Sequence, residues 1–357
     1  MTDFGFYKGK KVFVTGHTGF KGSWLCEVLT MLGADVTGYS LNPPTDPALF
    51  NILSLKERMT SIIGDIRDLD SLMKCMQAMQ PEIVIHMAQP IVRESYKKPV
   101  YTYDVNVMGT VNILECVRMT DSVRSFINVT TDKVYKNKEW EWGYRENEEL
   151  NGYDPYSNSK SCSELVTDSY KNSFFYDRDI AVSTMRAGNV VGGGDFAQDR
   201  IIPDCVKAAM QEKDIIIRNP YSVRPYQHVL EPVMTYLLVA QKQYKDRNVA
   251  GSYNVGPDEN SCLKTGEIAD LFCNKWNEKT GKYIEWLNRY DGGPHEASYL
   301  RLDCSRLKQA FGWRPFWPGK EMIDNTVEWY VGWMNRQDMR TIMHAQINHM
   351  MQNYNKS

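Results

Sequence analysis

The sequence predicts an α/β protein built on a doubly wound, mostly parallel sheet, with a smaller, discontinuous α/β lobe that binds substrate. Three observations predict it. Short apolar runs alternate with segments of helical period through residue 186, the order that gives a parallel sheet covered on both faces. Glycines recur as Gly16-x-x-Gly19-x-x-Gly22 between the first apolar run and the first helix. After Arg186 the texture changes: Gly192-Gly193-Gly194, Asn219-Pro220 and Arg224-Pro225 punctuate short segments, and Tyr221, Tyr226, Trp276, Trp286, Trp313 and Trp317 crowd in. Long loops of that kind carry ligand contacts.

Each element has its own signal. Lys11–Thr15 is apolar with a turn right behind it, as a buried parallel strand requires. Leu25, Val28, Leu29 and Leu32 then recur at helical spacing, and Gly33 stands where a helix stops. Residues 35–39 make the second strand and complete a β-α-β unit. Strands are expected at 61–65, Ile83–His86, Ser125–Val129 and 181–185, with helices through Leu69, Leu72, Met73 and Met76, over 105–119, and around Tyr156. A helix at 229–243 and a strand at 251–255 return to the sheet. The expected division is therefore 1–186 with 229–256 for the cofactor, and 187–228 with 257–357 for the substrate. The tail 342–357 reads as a helix with a frayed end.

Composition narrows the class. With 42% hydrophobic and 24% charged residues and a net charge of -2, the chain has no global field for nucleic acid or an anionic membrane. No run of 18 apolar residues suggests a membrane span, and residues 1–4 lack the layout of a signal peptide. Eight scattered cysteines read as reduced thiols of a cytoplasmic protein. No metal site is expected; His344 and His349, five apart, do not share a helical face.

The glycine turn points to a dinucleotide. Glycine permits the tight turn and lets the backbone approach a pyrophosphate. The helix behind it then offers N–H groups and a partial positive charge. A strand before and a helix after are the context that makes the site Rossmann-type. An acidic residue at the end of the second strand would bind the adenosine ribose, and an arginine a 2′-phosphate. Here the residues are Tyr39-Ser40-Leu41-Asn42. Ser40 or Asn42 can hydrogen-bond a ribose hydroxyl, and only Lys21 could meet a phosphate. NAD is favoured.

Tyr156 and Lys160 lie four apart behind Asp154-Pro155, a helix opening, so they share one face. A phenol is a poor base at neutral pH, and a neighbouring ammonium stabilises its phenolate. Such a pair takes a proton from a hydroxyl while the carbon loses hydride. Thr131-Asp132-Lys133 follows the fifth strand, at the carboxyl edge where ligands bind. Thr131 can hydrogen-bond the reacting hydroxyl. Asp132 can act as general acid if burial raises its pKa, and Lys133 as base if desolvation or a nearby cation lowers its own. An Asp–Lys surface turn is the plain alternative, and Tyr156 with Lys160 weighs against it. In the loop-rich lobe, His228 and His295 either face a ligand or are structural. Arg200, Arg218 and Arg224 are candidates to clamp a diphosphate.

Thr15-Gly16-His17-Thr18-Gly19-Phe20-Lys21-Gly22-Ser23-Trp24-Leu25 and Tyr156-x-x-x-Lys160 resemble the extended short-chain dehydrogenase/reductase family. Within it, the chain is similar to the CDP-glucose 4,6-dehydratases almost end to end. Gln89-Pro90-Ile91-Val92-Arg93, Thr131-Asp132-Lys133-Val134-Tyr135, Arg186-Ala187-Gly188-Asn189, Arg224-Pro225-Tyr226-Gln227-His228 and His295-Glu296-Ala297 carry the match. The resemblance implies that Tyr156, with Lys160 and Thr131, takes the C4 hydroxyl proton while hydride passes to NAD. The 4-keto group acidifies C5, a base removes that proton as Asp132 protonates the departing C6 hydroxyl, and hydride returns to C6. Sister dehydratases of dTDP-glucose carry glutamate in place of Lys133. The resemblance also implies cofactor contacts from Thr18, Phe20, Ala88 and Asn106, adenine contacts from Asp65 and Ile66, and diphosphate contacts from Asn189 and Arg224. Arg200 and His228 complete the substrate set. A homodimer or homotetramer, pairing through 105–119 and 156–174, and a place in O-antigen deoxysugar synthesis are implied as well. One departure stands out: His86-Met87-Ala88-Gln89-Pro90 is one residue shorter than the family's His-Leu-Ala-Ala-Gln-Pro, which predicts weaker cofactor binding.

Two rivals keep a place. An epimerase or C4 oxidoreductase would share the hydride step but typically has small or hydroxyl residues after Thr131. A catalytically silent, nucleotide-sensing protein would need no activated phenol.

Overall fold

Seven parallel strands form the central sheet: β1 (Lys11–Thr15), β2 (Asp35–Ser40), β3 (Thr60–Ile63), β4 (Ile83–His86), β5 (Ser125–Val129), β6 (Ala181–Ala187) and β7 (Ser252–Val255). Their order across the sheet is β7-β6-β5-β4-β1-β2-β3. This computed structural model describes residues 3–90, 92–258, 261–289 and 300–356. The chain runs outward from β1 to β2 and β3, then returns to place β4 on the other flank of β1. That reversal opens a crevice at the carboxyl ends of β1 and β4, where a doubly wound sheet takes its ligand.

Strand alternation divides the core in two. Val12, Val14, Ile83, Ile85, Ile127 and Val129 face one side, with Trp24, Leu25 and Val28 of α1 (Phe20–Met31). Phe13, Val84, Phe126 and Val182 face the other. There they meet Leu72 and Met76 of α2 (Leu69–Met79) and Ile113, Leu114 and Val117 of α3 (Gly109–Arg118). Side chains of alternating residues point to opposite faces, so a strand apolar at every position must be covered twice. α4 (Pro155–Phe174) lies on the α3 side, and Asp154 caps it by accepting from the Ser157 amide at 3.0 Å. Beyond β6 come α5 (Ile201–Met210), α6 (Leu230–Lys245), α7 (Thr265–Thr280), α8 (Gly319–Met334) and α9 (Met339–Lys356). α6 packs behind β5 and β6: the Ser125 hydroxyl donates to the Ala240 carbonyl at 3.0 Å, and Gln243 Nε2 to the Phe126 carbonyl at 3.1 Å.

Three elements differ from expectation. β3 stops at Ile63, opposite Ser40 where its neighbour β2 ends, and the bond from the Gly64 amide to the Ser40 carbonyl at 2.9 Å closes the ladder. The helix expected over 105–119 begins as a π-helical turn, Asp104–Met108. The tail has no frayed end through Lys356; Met343, Ile347, Met350 and Tyr354 repeat at helical spacing and are buried. No helix among the described residues is long and apolar enough to cross a membrane.

Three histidines are buried neutral in this framework. Burial pushes His17 down to about 4, and His86 and His228 down to about 3. Below the ordinary value of about 6.5 the unfolded chain binds these protons and the folded chain does not, so stability falls as pH drops. Each histidine withdraws about 1.4 kcal/mol per pH unit there. Glu231 works the other way: burial raises its carboxyl to about 7, so the folded state gains a proton as pH falls through that value. Two histidines' worth survives, about 3 kcal/mol per unit at most. The melting temperature is expected to drop steeply from pH 6.5 to 5; a flat profile would contradict buried neutral imidazoles.

Candidate active site

The glycine turn sits where β1 meets α1. Gly16 has φ +78°, and a Cβ there would lie 2.9 Å from the Ala88 amide nitrogen. A Cβ on Gly22 would lie 2.1 Å from the Gly16 carbonyl oxygen, a backbone atom that cannot move aside. Gly19 is the N-cap of α1 and supplies no side-chain cap, so the first-turn amides have no side-chain acceptor. This cradle fits a dinucleotide pyrophosphate. Gly22→Ala is expected to cost on the order of 3 kcal/mol and to abolish cofactor binding, read by melting temperature and by titration with the dinucleotide.

Most of the predicted cofactor residues ring this turn. The Thr18 hydroxyl meets Ser40 Oγ at 2.9 Å and donates to the Leu41 carbonyl at 2.8 Å, tying the turn to the end of β2. Asp65 is paired with Arg67 at 2.7 Å, which holds its carboxyl below the usual range. Ile66 is buried under α3. In the shortened loop the Met87 and Ala88 amides donate to Thr15 Oγ1 at 3.0 and 3.2 Å, anchoring it to β1; Ile91 lies outside the described residues. Asn106 braces the catalytic helix, its Nδ2 donating to Ser159 Oγ at 2.9 Å.

Two strand ends and one helix converge on the reaction centre. Thr131 leaves β5, and its hydroxyl donates to Asp132 Oδ1 at 2.8 Å. Asp132 is 0% exposed, and its second oxygen, Oδ2, has no hydrogen-bond partner among the described residues. Lys133 Nζ stands 3.5 Å from Asp132 Oδ1 and donates to Asn189 Oδ1 at 3.2 Å. Asn189, expected at a diphosphate, thus holds Lys133. Tyr156 and Lys160 are both buried. Burial raises the Tyr156 phenol well above its ordinary value, with Asp132 adding to the rise; a hydrogen bond with Thr131 and the Arg200 cation oppose it. Lys160 Nζ donates to the Val129 carbonyl at 3.0 Å, and burial pushes the ammonium down to about 7. The cation that offsets the Tyr156 rise most is therefore Arg200, where the sequence suggested Lys160.

Other residues divide. Arg200 caps α5 and pairs with Asp195 at 2.7 Å. Lys21 is half-buried and near Asp132 and Arg200; burial and Arg200 push it down to about 8. It belongs to the reaction centre as well as to the glycine turn. Arg224 is buried in the short strand Val223–Arg224 and donates to the Val223 carbonyl at 3.1 Å. His228, expected at the substrate, is buried beside Trp24 and Trp317, with ring centroids 5.7 and 4.6 Å away, and its Nδ1 accepts from the Leu230 amide at 3.2 Å. His295 lies outside the described residues.

This geometry meets known proteins. Residues 13–326 match the family described as GDP-mannose 4,6 dehydratase. The chain belongs to that family. It is 48% identical over 346 residues to the CDP-glucose 4,6-dehydratase of Salmonella typhimurium, covering 95% of each chain. It is 28% identical over 336 residues to a dTDP-glucose 4,6-dehydratase of Xanthomonas campestris, covering 89% of this chain and 92% of the relative. Among solved structures, the dTDP-glucose 4,6-dehydratase of Bacillus anthracis in complex with NAD aligns with a TM-score of 0.74 at 21% identity, covering 90% of this chain and 96% of that one. Epimerase Mth375 of Methanothermobacter thermautotrophicus aligns with a TM-score of 0.77 at 21% identity, covering 95% and 96%. Dehydratase and epimerase share the architecture, so the fold alone does not separate them.

Proposed function

We propose that the protein is a CDP-glucose 4,6-dehydratase that uses NAD. The observation that carries it is the buried Asp132 carboxylate, held by Thr131 beside Tyr156 and in contact with Lys133. An epimerase needs no proton donor at C6. Elimination of water needs one, and a base for C5.

Bound NAD would take hydride from C4 and return it at C6. The chain's residues manage the protons. Tyr156 takes the C4 hydroxyl proton, with Thr131 orienting that hydroxyl. Lys133 takes the C5 proton, Asp132 protonates the C6 oxygen, which leaves as water, and Lys133 gives a proton back to C5 when hydride adds at C6. A charged Asp132–Lys133 ion pair carries its proton on the wrong partner for this work. The competent form, carboxylic acid and amine, differs from it by one proton moved across their 3.5 Å contact.

Cytidine as the base rests on the 48% identical relative. Pairing of copies has support in exposed apolar residues: Met108 and Met119 flank α3, and Leu165 and Phe174 lie on α4. The test is incubation with NAD and CDP-, dTDP-, GDP- or UDP-hexoses, followed by mass spectrometry. Loss of water from CDP-glucose alone supports the reading. A mass-neutral conversion favours the epimerase, and NAD binding without conversion favours the silent binder.

A further inference from the structure

One buried carboxylate under the reaction centre has no part in the scheme above. Glu164 lies one turn beyond Lys160 on α4 and is 2% exposed. Thr130, the residue before Thr131, donates its hydroxyl to Glu164 Oε1. Thr184 Oγ1 and Arg186 Nη2, both on β6, donate to Oε2 at 2.7 and 2.8 Å. Arg186 is itself fixed: its Nη1 donates to Tyr135 Oη at 3.0 Å and to the Glu146 carbonyl at 2.9 Å, and its guanidinium stacks over the Tyr135 ring. Tyr135 lies two residues after Lys133 and donates to Asn254 Oδ1 at 2.6 Å. A single carboxylate thus joins the helix bearing Tyr156 and Lys160 to the strand end bearing Thr131, Asp132 and Lys133.

We propose that Glu164 is a positioning residue: its carboxylate registers the two halves of the reaction centre and is the anion set one turn from Lys160. The assignment rests on the dehydratase reading. A carboxylate held by three hydrogen bonds is costly to bury and would serve packing poorly. Replacing a buried ion pair by apolar groups is often neutral for stability, so stability alone does not account for this one. The charged groups around Lys160 are Glu164 on its own helix and Lys21 from α1, and Lys160 in turn acts on His86 of β4. Of these, only Glu164 favours the ammonium. Without it the Lys160 ammonium loses its proton at lower pH, and the positive charge one turn from Tyr156 is lost with it.

Three variants test this. Glu164→Gln is expected to lower kcat at least tenfold and to move the high-pH limb of kcat/KM down by about one unit. Glu164→Asp keeps the charge and should restore the limb even if kcat stays low. Glu164→Gln with Arg186→Met removes both buried charges, so folding is not at stake, and should keep the displaced limb. The Lys160 side-chain NMR signal, assigned with Lys160→Met, should titrate at lower pH in Glu164→Gln. That signal needs no substrate, so it reports on Glu164 even if the wild type converts no nucleotide sugar, a result that would sink only the dehydratase reading. An unmoved Lys160 titration, or a double variant with the wild-type profile, overturns the proposal.

Discussion

Asp132→Asn is expected to oxidise CDP-glucose at C4 at a rate within about tenfold of wild type, while water loss slows by a factor of about 10² to 10⁴. The amide oxygen of asparagine can still accept from Thr131 Oγ1, as Asp132 Oδ1 does at 2.8 Å. The arrangement of Thr131 beside Tyr156 is therefore kept. What disappears is the proton for the C6 hydroxyl, and with it the carboxyl partner of Lys133. Removing the Asp132 charge also relieves part of the rise in the Tyr156 phenol, so oxidation has no electrostatic reason to suffer. Rapid mixing should show reduced nicotinamide accumulating before water is lost. Equal slowing of both half-reactions would remove Asp132 as the acid of elimination.

How far the sequence reaches depends on the distance over which a residue's surroundings are set. β4 and β5 fall on their expected bounds, since both are largely apolar and buried at every position. β3, half-exposed at the edge of the sheet, was misjudged at its end. The last helix was legible only in part. Its many polar residues masked the stripe of Met343, Ile347, Met350 and Tyr354, which is buried against the rest of the chain. The two motifs of the reaction centre could be read because each is local: Thr131-Asp132-Lys133 at a strand end, Tyr156 and Lys160 on one helical face. Their supports could not. Asn189 reaches Lys133 across 56 residues of sequence, Arg200 acts on Tyr156 from the start of α5, and Lys21 answers to Asp132 from the glycine turn. Glu164 is the intermediate case. Its spacing from Lys160 put it on the catalytic face, but its partners Thr184 and Arg186 come from a strand whose neighbour only the folded sheet reveals. His228 was open between a ligand and a structural role in the sequence, and its neighbours Trp24 and Trp317 come from segments far from it in the chain.

Tyr156→Phe should have the larger effect on turnover and the narrower effect on chemistry. Without the hydroxyl nothing takes the C4 proton, so hydride does not leave C4 and C5 is never acidified. Overall conversion is expected to fall by 10³-fold or more, near the upper end of what one proton-transfer group supplies. The ring is buried and phenylalanine fills nearly the same volume, so the fold should tolerate the change. A second measurement separates this loss from general damage. The 4-keto product already has an acidic C5 proton, and its exchange with deuterium oxide needs only Lys133 and the carbonyl. Tyr156→Phe should keep that exchange within about tenfold of wild type, whereas Lys133→Met should lose it by about 10² or more. If Tyr156→Phe loses exchange as completely as Lys133→Met, the phenol would be serving C5 as well, and the division of labour between the strand end and the helix would fail.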